Sequence, residues 1–255
     1  MMRVTDGYRV DADWPMPPGV AAFTTTRALQ SPHIGCSAAP FDRFNLGAAC
    51  GDPLTSATAN REQLIALAGL PNAPCWLKQT HGVAVARFDS PSTVSPEADA
   101  SVTDKAGVVL AILTADCLPV LFAASDGSEV GASHAGWRGL CGGVLEATVA
   151  AMNAPPSRLQ AWLGPAAGPR AYEVGEEVRA TFLAHDPRAA QAFEPTRTGH
   201  WLCDLYALAR QRLAAAGVSA IYGGDFCTIS TPTHWYSHRR DGQSGRMASL
   251  IYRSA

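Results

Sequence analysis

The sequence predicts a mixed α/β (α+β) fold: a single domain over residues 1–255, in which a mixed β-sheet is flanked by helices. Three observations carry this. The continuous apolar runs 107–113 (GVVLAIL) and 118–124 (LPVLFAA) have the length and composition of buried strands. Asp126-Gly127, within Ser125-Asp126-Gly127-Ser128, separates the second run from a return strand at 129–135, the signal of a tight hairpin. Helical stretches follow at 142–152, 175–185 and 204–216, so strands occur both as a hairpin and alternating with helices.

Taken in order, residues 20–26 (VAAFTTT) read as a strand. The stretch 27–54 is irregular and rich in Gly, Pro, Ser and Asn, which predicts a long surface loop. Residues 58–68 predict a helix, with Leu64, Ile65, Leu67 and Ala68 apolar and Gly69 as its stop. In the helix over 204–216, apolar residues recur at 205, 208, 209, 213 and 216, between Asp204 as cap and Gly217 as stop. A last strand is expected near 246–252. The Pro-rich patches at 15–18, 153–156 and 165–169 read as loops, and no repeat or interdomain linker is evident.

Composition narrows the functional classes. A net charge of -2 without a Lys/Arg run disfavours nucleic acid and anionic membranes as partners, while leaving room for a local basic pocket for a small phosphate. No window approaches 18 consecutive apolar residues, and the N-terminal stretch lacks an uninterrupted apolar core of the secretory kind. The seven cysteines are scattered and include no CxxC, so a reduced, cytoplasmic protein is expected, either monomer or homodimer.

The hairpin brings chemistry together. If Asp126-Gly127 is its two-residue turn, paired residues have numbers that add up to 253, so Cys117 opposes Gly136 and Leu118 opposes Ala135. His134 then shares a face with Cys117 as its diagonal neighbour, with Cα atoms roughly 7–8 Å apart, close enough for imidazole and thiolate to share a metal ion. A slip of one residue separates them onto opposite faces. A third ligand must come from elsewhere. His81, in Lys78-Gln79-Thr80-His81-Gly82, is a candidate on composition alone; as isolated residues, His81 reads more readily as a loop or core histidine and Cys117 as a buried thiol.

Three blocks resemble the signature of a known family: Gln79-Thr80-His81-Gly82, Thr114-Ala115-Asp116-Cys117-Leu118-Pro119 and His134-Ala135-Gly136-Trp137-Arg138-Gly139. They are similar to those of the YfiH-like laccase-domain proteins, also called polyphenol oxidases. The similarity extends to Phe44-Asn45-Leu46-Gly47, Gly51-Asp52-Pro53 and Asn60-Arg61, and to Gly164-Pro165-Ala166-Ala167-Gly168, Tyr172-Glu173-Val174-Gly175, Asp204-Leu205, Cys227-Thr228 and Ser237-His238-Arg239-Arg240-Asp241-Gly242. It departs at Arg27-Ala28-Leu29-Gln30, at Ala167 and at His238, where the family commonly carries Arg-x-Gly-Gly, Ile and Tyr.

The resemblance implies the YfiH-like fold and one zinc ion per chain held by His81, Cys117 and His134. Two imidazoles and a thiolate leave a fourth tetrahedral position open, the pattern of catalytic zinc, although the thiolate would also accept copper as Cu(I). It also implies purine nucleoside chemistry: phosphorolysis of adenosine, inosine and S-methyl-5′-thioadenosine, and deamination of adenosine, with small-molecule nucleoside and phosphate as partners. Besides Cys117 and His134, Asp116 and Glu173 are candidate proton shuttles, although a continuous strand would turn Asp116 away from Cys117. Asn45, Lys78, Arg138 and Tyr172 are candidates for binding substrate. Arg138 stands where a strand hands over to a helix, with free N–H groups and a guanidinium to offer to phosphate. Arg239 and Arg240 form a further basic spot.

Other classes compete. A multicopper laccase holds several coppers, largely on His-x-His pairs; this chain has seven histidines and no such pair. A mononuclear copper site, a cysteine- or metal-dependent amidase (Cys117–His134 as nucleophile–base pair in the first case, with peptidoglycan precursors as the substrates the resemblance implies), and a non-enzymatic binding module stay open.

Overall fold

A computed structural model describes residues 4–254. In chain order its strands and helices are β1 (Arg9–Asp11), β2 (Val20–Thr25), α1 (Leu54–Ala68), β3 (Val85–Arg87), β4 (Ala100–Thr103), β5 (Val109–Thr114), β6 (Leu118–Ala124), β7 (Val130–Ala135), α2 (Trp137–Gly142), α3 (Val144–Ala151), β8 (Leu159–Leu163), β9 (Glu173–Gly175), α4 (Glu176–His185), β10 (Phe193–Arg197), β11 (His200–Cys203), α5 (Leu205–Ala215), β12 (Ala220–Gly223), α6 (His238–Asp241) and β13 (Met247–Arg253). No helix among the described residues is long and apolar enough to cross a membrane.

The strands form three sheets. One is four-stranded, in the order β1-β2-β13-β5; one is six-stranded and mixed, β12-β8-β6-β7-β4-β3; one is a small three-stranded sheet, β10-β11-β9. The alternation of side chains along β6 explains how the layers stack. Leu118, Val120, Phe122 and Ala124 point into a core shared with α3 and α5. Leu121 and Ala123 point the other way, with Val130, Ala132 and Trp162, against Leu110, Ile112 and Ile251 of the four-stranded sheet. The outer face of that sheet, through Val109, Ala111 and Leu250, is covered by Leu64 of α1 together with Phe44 and Leu46. The domain is therefore helix, sheet, sheet, helices.

The hairpin has the register expected from its turn: Leu118 pairs with Ala135, Pro119 with His134 and Phe122 with Gly131. Other elements differ in informative ways. The stretch 27–54 carries no regular structure up to α1, as expected, but only part of it lies at the surface. Phe41, Phe44, Asn45, Leu46 and Asp52 are buried, because side chains replace the missing ladder. Buried Asn60 donates to Asn45 O at 2.8 Å and to Ser37 Oγ at 2.9 Å, and Ser37 Oγ lies 2.6 Å from Asp52 Oδ2. The helix expected at 142–152 is α3, and a separate helix, α2, precedes it and ends at Gly143, which adopts φ +100°. The helix after Gly51-Asp52-Pro53 starts at Leu54 rather than 58.

Candidate metal centre

His81, Cys117 and His134 converge, with one ligand atom from each lying within 4.8 Å of the others. Cys117 Sγ is 3.9 Å from His81 Nε2, and the two imidazole rings meet edge to face with centroids 4.8 Å apart. His134 belongs to β7 and Cys117 directly precedes β6, so both sit at one end of the hairpin, on the face that looks toward the four-stranded sheet. His134 is buried, Cys117 half-buried and His81 exposed.

His81 is delivered by a loop fixed to both sheets. Gln79 acts as a surrogate strand residue: its Nε2 donates to Leu113 O and its Oε1 accepts from Leu113 N, each at 2.8 Å. On the other side the fully buried Asp99 carboxylate accepts from the N–H groups of Thr80 (3.0 Å), His81 (2.9 Å) and Gly82 (2.7 Å), and from Thr80 Oγ1. This arrangement holds His81 at φ +63°. Asp99 also lies 2.8 Å from His134 Nδ1, which directs Nε2 of that ring toward the other two ligands. Gly136 completes the geometry. A Cβ there would stand 3.0 Å from both Cys117 Sγ and His81 Cδ2, so a side chain at this position would press on two of the three converging residues.

The electrostatics follow from this packing. Burial would push the Cys117 thiol up, but the adjacent His134 and His81 outweigh it and bring it down to about 6. Burial disfavours an imidazolium at His134, yet the Cys117 thiolate and Asp99 raise it to about 9. Asp99 is buried too, and its hydrogen bonds from His134, Gly82 and Thr80 reverse the effect of burial and hold its carboxyl well below the usual range. A thiolate and two imidazoles at this spacing, with a carboxylate behind one of them, suit a soft or borderline metal ion.

His81, Cys117 and His134 open on a cleft of about 430 Å³ whose walls include Leu77, Lys78, Leu113, His238 and Arg246. Of the predicted substrate-binding residues, Lys78 lines it, ion-paired with Glu97. Asn45 does not. Its amide donates to Gly47 O and Asp52 Oδ2 and accepts from Gly47 N and Arg246 N, so it shapes the wall formed by residues 47–50. Tyr172 lies under the Arg239 guanidinium, 4.8 Å from ring centroid to Cζ, with its hydroxyl pKa raised by burial and then by the nearby Cys117. Arg138 is not brought into the cleft: α2 turns it outward onto the Trp137 ring, beside a separate depression with Cys141 and His185. The backbone handover at Trp137 is as expected, but the side chain leaves on the other face.

Asp116 adopts φ +94°, which turns its carboxylate into the C-terminal segment, where it accepts from Thr228 Oγ1 (2.6 Å), Ser237 Oγ (3.1 Å) and Arg239 N (2.7 Å). Glu173 is occupied by Thr196 and Arg197, and Arg240 by Asp241 and three backbone carbonyls. Sequence reasoning missed Asp99, His238 and Arg246 as site residues. The available signal for Asp99 was an aspartate between two alanines at the head of a small-residue strand.

The family model described as "Multi-copper polyphenol oxidoreductase laccase" matches residues 21–254. The chain belongs to this laccase family. Its relatives include a protein of Xylella fastidiosa named "Purine nucleoside phosphorylase", 57% identical, with 94% of this chain and 95% of that one covered. Another is "Purine nucleoside phosphorylase YfiH" of Escherichia coli, 50% identical, with 94% and 96% covered. Among solved structures, Neisseria meningitidis protein NMB0706 is 44% identical with a TM-score of 0.92, covering 97% of this chain and all of that one. YlmD from Geobacillus stearothermophilus is 30% identical with a TM-score of 0.90, covering 100% and 99%. These likenesses carry the YfiH-type fold over to this chain. For this member of the laccase family the word multi-copper does not describe the ligands present: among the described residues one group of three His, Cys, Asp or Glu side chains is placed to hold a metal, enough for a single ion.

Proposed function

We propose that this protein is a zinc-dependent purine nucleoside phosphorylase of the cytoplasm. It would cleave adenosine, inosine and S-methyl-5′-thioadenosine with phosphate, and deaminate adenosine as a second activity. The observation that carries the reading is the convergence of His81, Cys117 and His134 on the floor of a cleft whose walls bear Lys78, His238 and Arg246. The cleft volume falls within the roughly 300–1,000 Å³ of small-molecule sites. The names of the relatives support the same chemistry.

His81, Cys117 and His134 would hold the ion, with Asp99 fixing the tautomer of His134 and the position of the His81 loop. Zinc with an open coordination position supplies Lewis acidity and lowers the pKa of bound water to about 7. Apolar Leu77 and Leu113 offer the base a dry wall. In phosphorolysis a phosphate oxygen bonds to C1′ of the ribose as the C1′–N9 bond breaks. The electron pair stays with the purine, which takes up a proton, and the (methylthio)ribose 1-phosphate departs. Deamination exchanges the C6 amino group for the oxygen of water and releases ammonia. Asp116 serves as a positioning residue, fixing the turn that presents Cys117.

The test is inosine turnover by zinc-replete protein. Hypoxanthine and ribose 1-phosphate should form only when phosphate is supplied. Release of hypoxanthine without phosphate means a nucleosidase, and no nucleoside turnover rejects the reading.

One observation favours a second reading. Cys117, His134 and Asp99 are also ordered as nucleophile, base and orienting carboxylate, with the thiol lowered and the imidazole raised. This is the arrangement of a cysteine amidase. Such an enzyme is inactivated by alkylation of Cys117 in the protein as purified, whereas a zinc-held thiolate resists.

A further inference from the structure

We infer that Arg246 is the phosphate anchor of the cleft, held in place by Gly47 and Asn45; this rests on the phosphorolysis reading above. Phosphorolysis brings a dianion to the ribose, so the cleft needs a cation that is not already neutralised. Lys78 is paired with Glu97. Arg138 faces a different depression, and Arg239 is directed to the Glu173 carbonyl and the Tyr172 ring. Arg246 lines the same cleft as the three metal ligands. Among the described residues it takes part in no salt bridge.

Its guanidinium is nevertheless fixed. Nη1 donates to the carbonyls of Ser244 (2.7 Å) and Gly245 (3.0 Å), which orient the group without cancelling its charge. Nε and Nη2 make no hydrogen bond to the described residues, leaving the edge of the fork that suits two oxygens of a tetrahedral oxyanion. The backbone is pinned as well: Arg246 N donates to Asn45 Oδ1 at 2.8 Å, and Leu46 N donates to Arg246 O at 3.1 Å. The aliphatic stem lies on Gly47, where a Cβ would stand 2.7 Å from Arg246 Cγ and 3.1 Å from its Cβ. Two segments far apart in sequence thus meet to hold one uncompensated guanidinium beside the metal ligands. Pre-ordering of this kind reduces the entropy lost when an anion binds.

The experiment compares wild type with Arg246→Met, which keeps the stem over Gly47, and with Arg246→Lys. Inosine phosphorolysis is measured against phosphate, and binding of inorganic phosphate to the zinc-loaded protein is measured by calorimetry. Arg246→Met should raise the phosphate KM by roughly tenfold or more, with nucleoside KM and bound metal little changed, and Arg246→Lys should lie between. Arg138→Ala should leave the phosphate KM where it was. In wild type, phosphate should slow modification of Arg246 by phenylglyoxal, a readout that needs no variant. An unchanged phosphate KM in folded, metal-replete Arg246→Met overturns the inference while leaving the phosphorylase reading intact. If wild type turns over no nucleoside, Arg246-dependent phosphate binding and protection from phenylglyoxal uphold the anion site alone; their absence rejects it too.

Discussion

Asp99 and His134 face one another across the β4–β7 pairing, joined twice: the carboxylate lies 2.8 Å from the imidazole Nδ1, and the backbone N of His134 donates to Asp99 O at 2.7 Å. The same carboxylate gathers three backbone N–H groups from the loop that carries His81. One buried side chain therefore sets two of the three candidate ligands.

Asp99→Asn should accordingly do more damage than its size suggests. The new amide turns a donor toward groups that are themselves donors. Metal affinity should fall by about 10–100-fold. Asp99→Ala, which abandons a buried imidazole and the loop amides, should cost about 3–5 kcal/mol of stability. Chelator competition and urea unfolding read the two effects.

Ligand removal should be equally specific. Protein purified without added metal should carry close to one zinc per chain, and alanine at His81, Cys117 or His134 should each strip most of it, as elemental analysis would register. Full retention of zinc in Cys117→Ala would falsify the shared site.

The thiol offers a pH readout. In metal-free protein Cys117 titrates near 6, so the thiolate predominates above that value and is protonated below it. Alkylation should therefore rise with pH to a plateau above about pH 6 to 7, where an ordinary cysteine of pKa about 8.5 is still mostly unreactive. Zinc should suppress the reaction at every pH. Iodoacetamide labelling with peptide mapping checks both statements.

Gly136→Ala tests the close approach. Its methyl group would stand 3.0 Å from Cys117 Sγ and His81 Cδ2. The ligands must part, so zinc affinity should drop by about tenfold or more, much as when the shell supporting a metal site is disturbed. Gly136 has φ -61°, so an alanine there meets no left-handed strain, and the thermal midpoint of the metal-free protein should move little.

Asp116→Asn separates anchoring from proton transfer. Loss of a charged acceptor for Thr228, Ser237 and Arg239 should lower stability by about 1–3 kcal/mol. Both limbs of the kcat–pH profile should persist at reduced height. Disappearance of one limb would make Asp116 a proton shuttle instead.

Much of this site was legible because a turn is local. Asp126-Gly127 fixes the hairpin register, and the register puts Cys117 and His134 on one face. His81 and Asp99 could not be reached the same way. They join the hairpin through a loop and a four-residue strand, with Asp99 18 residues from His81 and 35 from His134, and no periodicity records such contacts. Arg138 shows a different limit: the strand-to-helix handover is legible, but the rotation of a six-residue helix decides which way its side chains leave. The stretch 27–54 has the composition of solvent-exposed chain, yet part of it, including residues 44–47, is buried, and there Asn45, Asp52 and Asn60 supply hydrogen bonds that its backbone lacks. Polar residues there signal internal wiring rather than exposure.

Strand β13 lies between β2 and β5, and Arg246 directly precedes it. A ribosome must therefore release residue 253 before two strands made much earlier find the neighbour that separates them. Until then β2 and β5 each present an unpaired edge, and the wall at residues 45–47 has no arginine to receive. The cleft thus cannot mature before Arg246 and β13 have been made, and the nascent chain carries open sheet edges that invite misassociation while it waits.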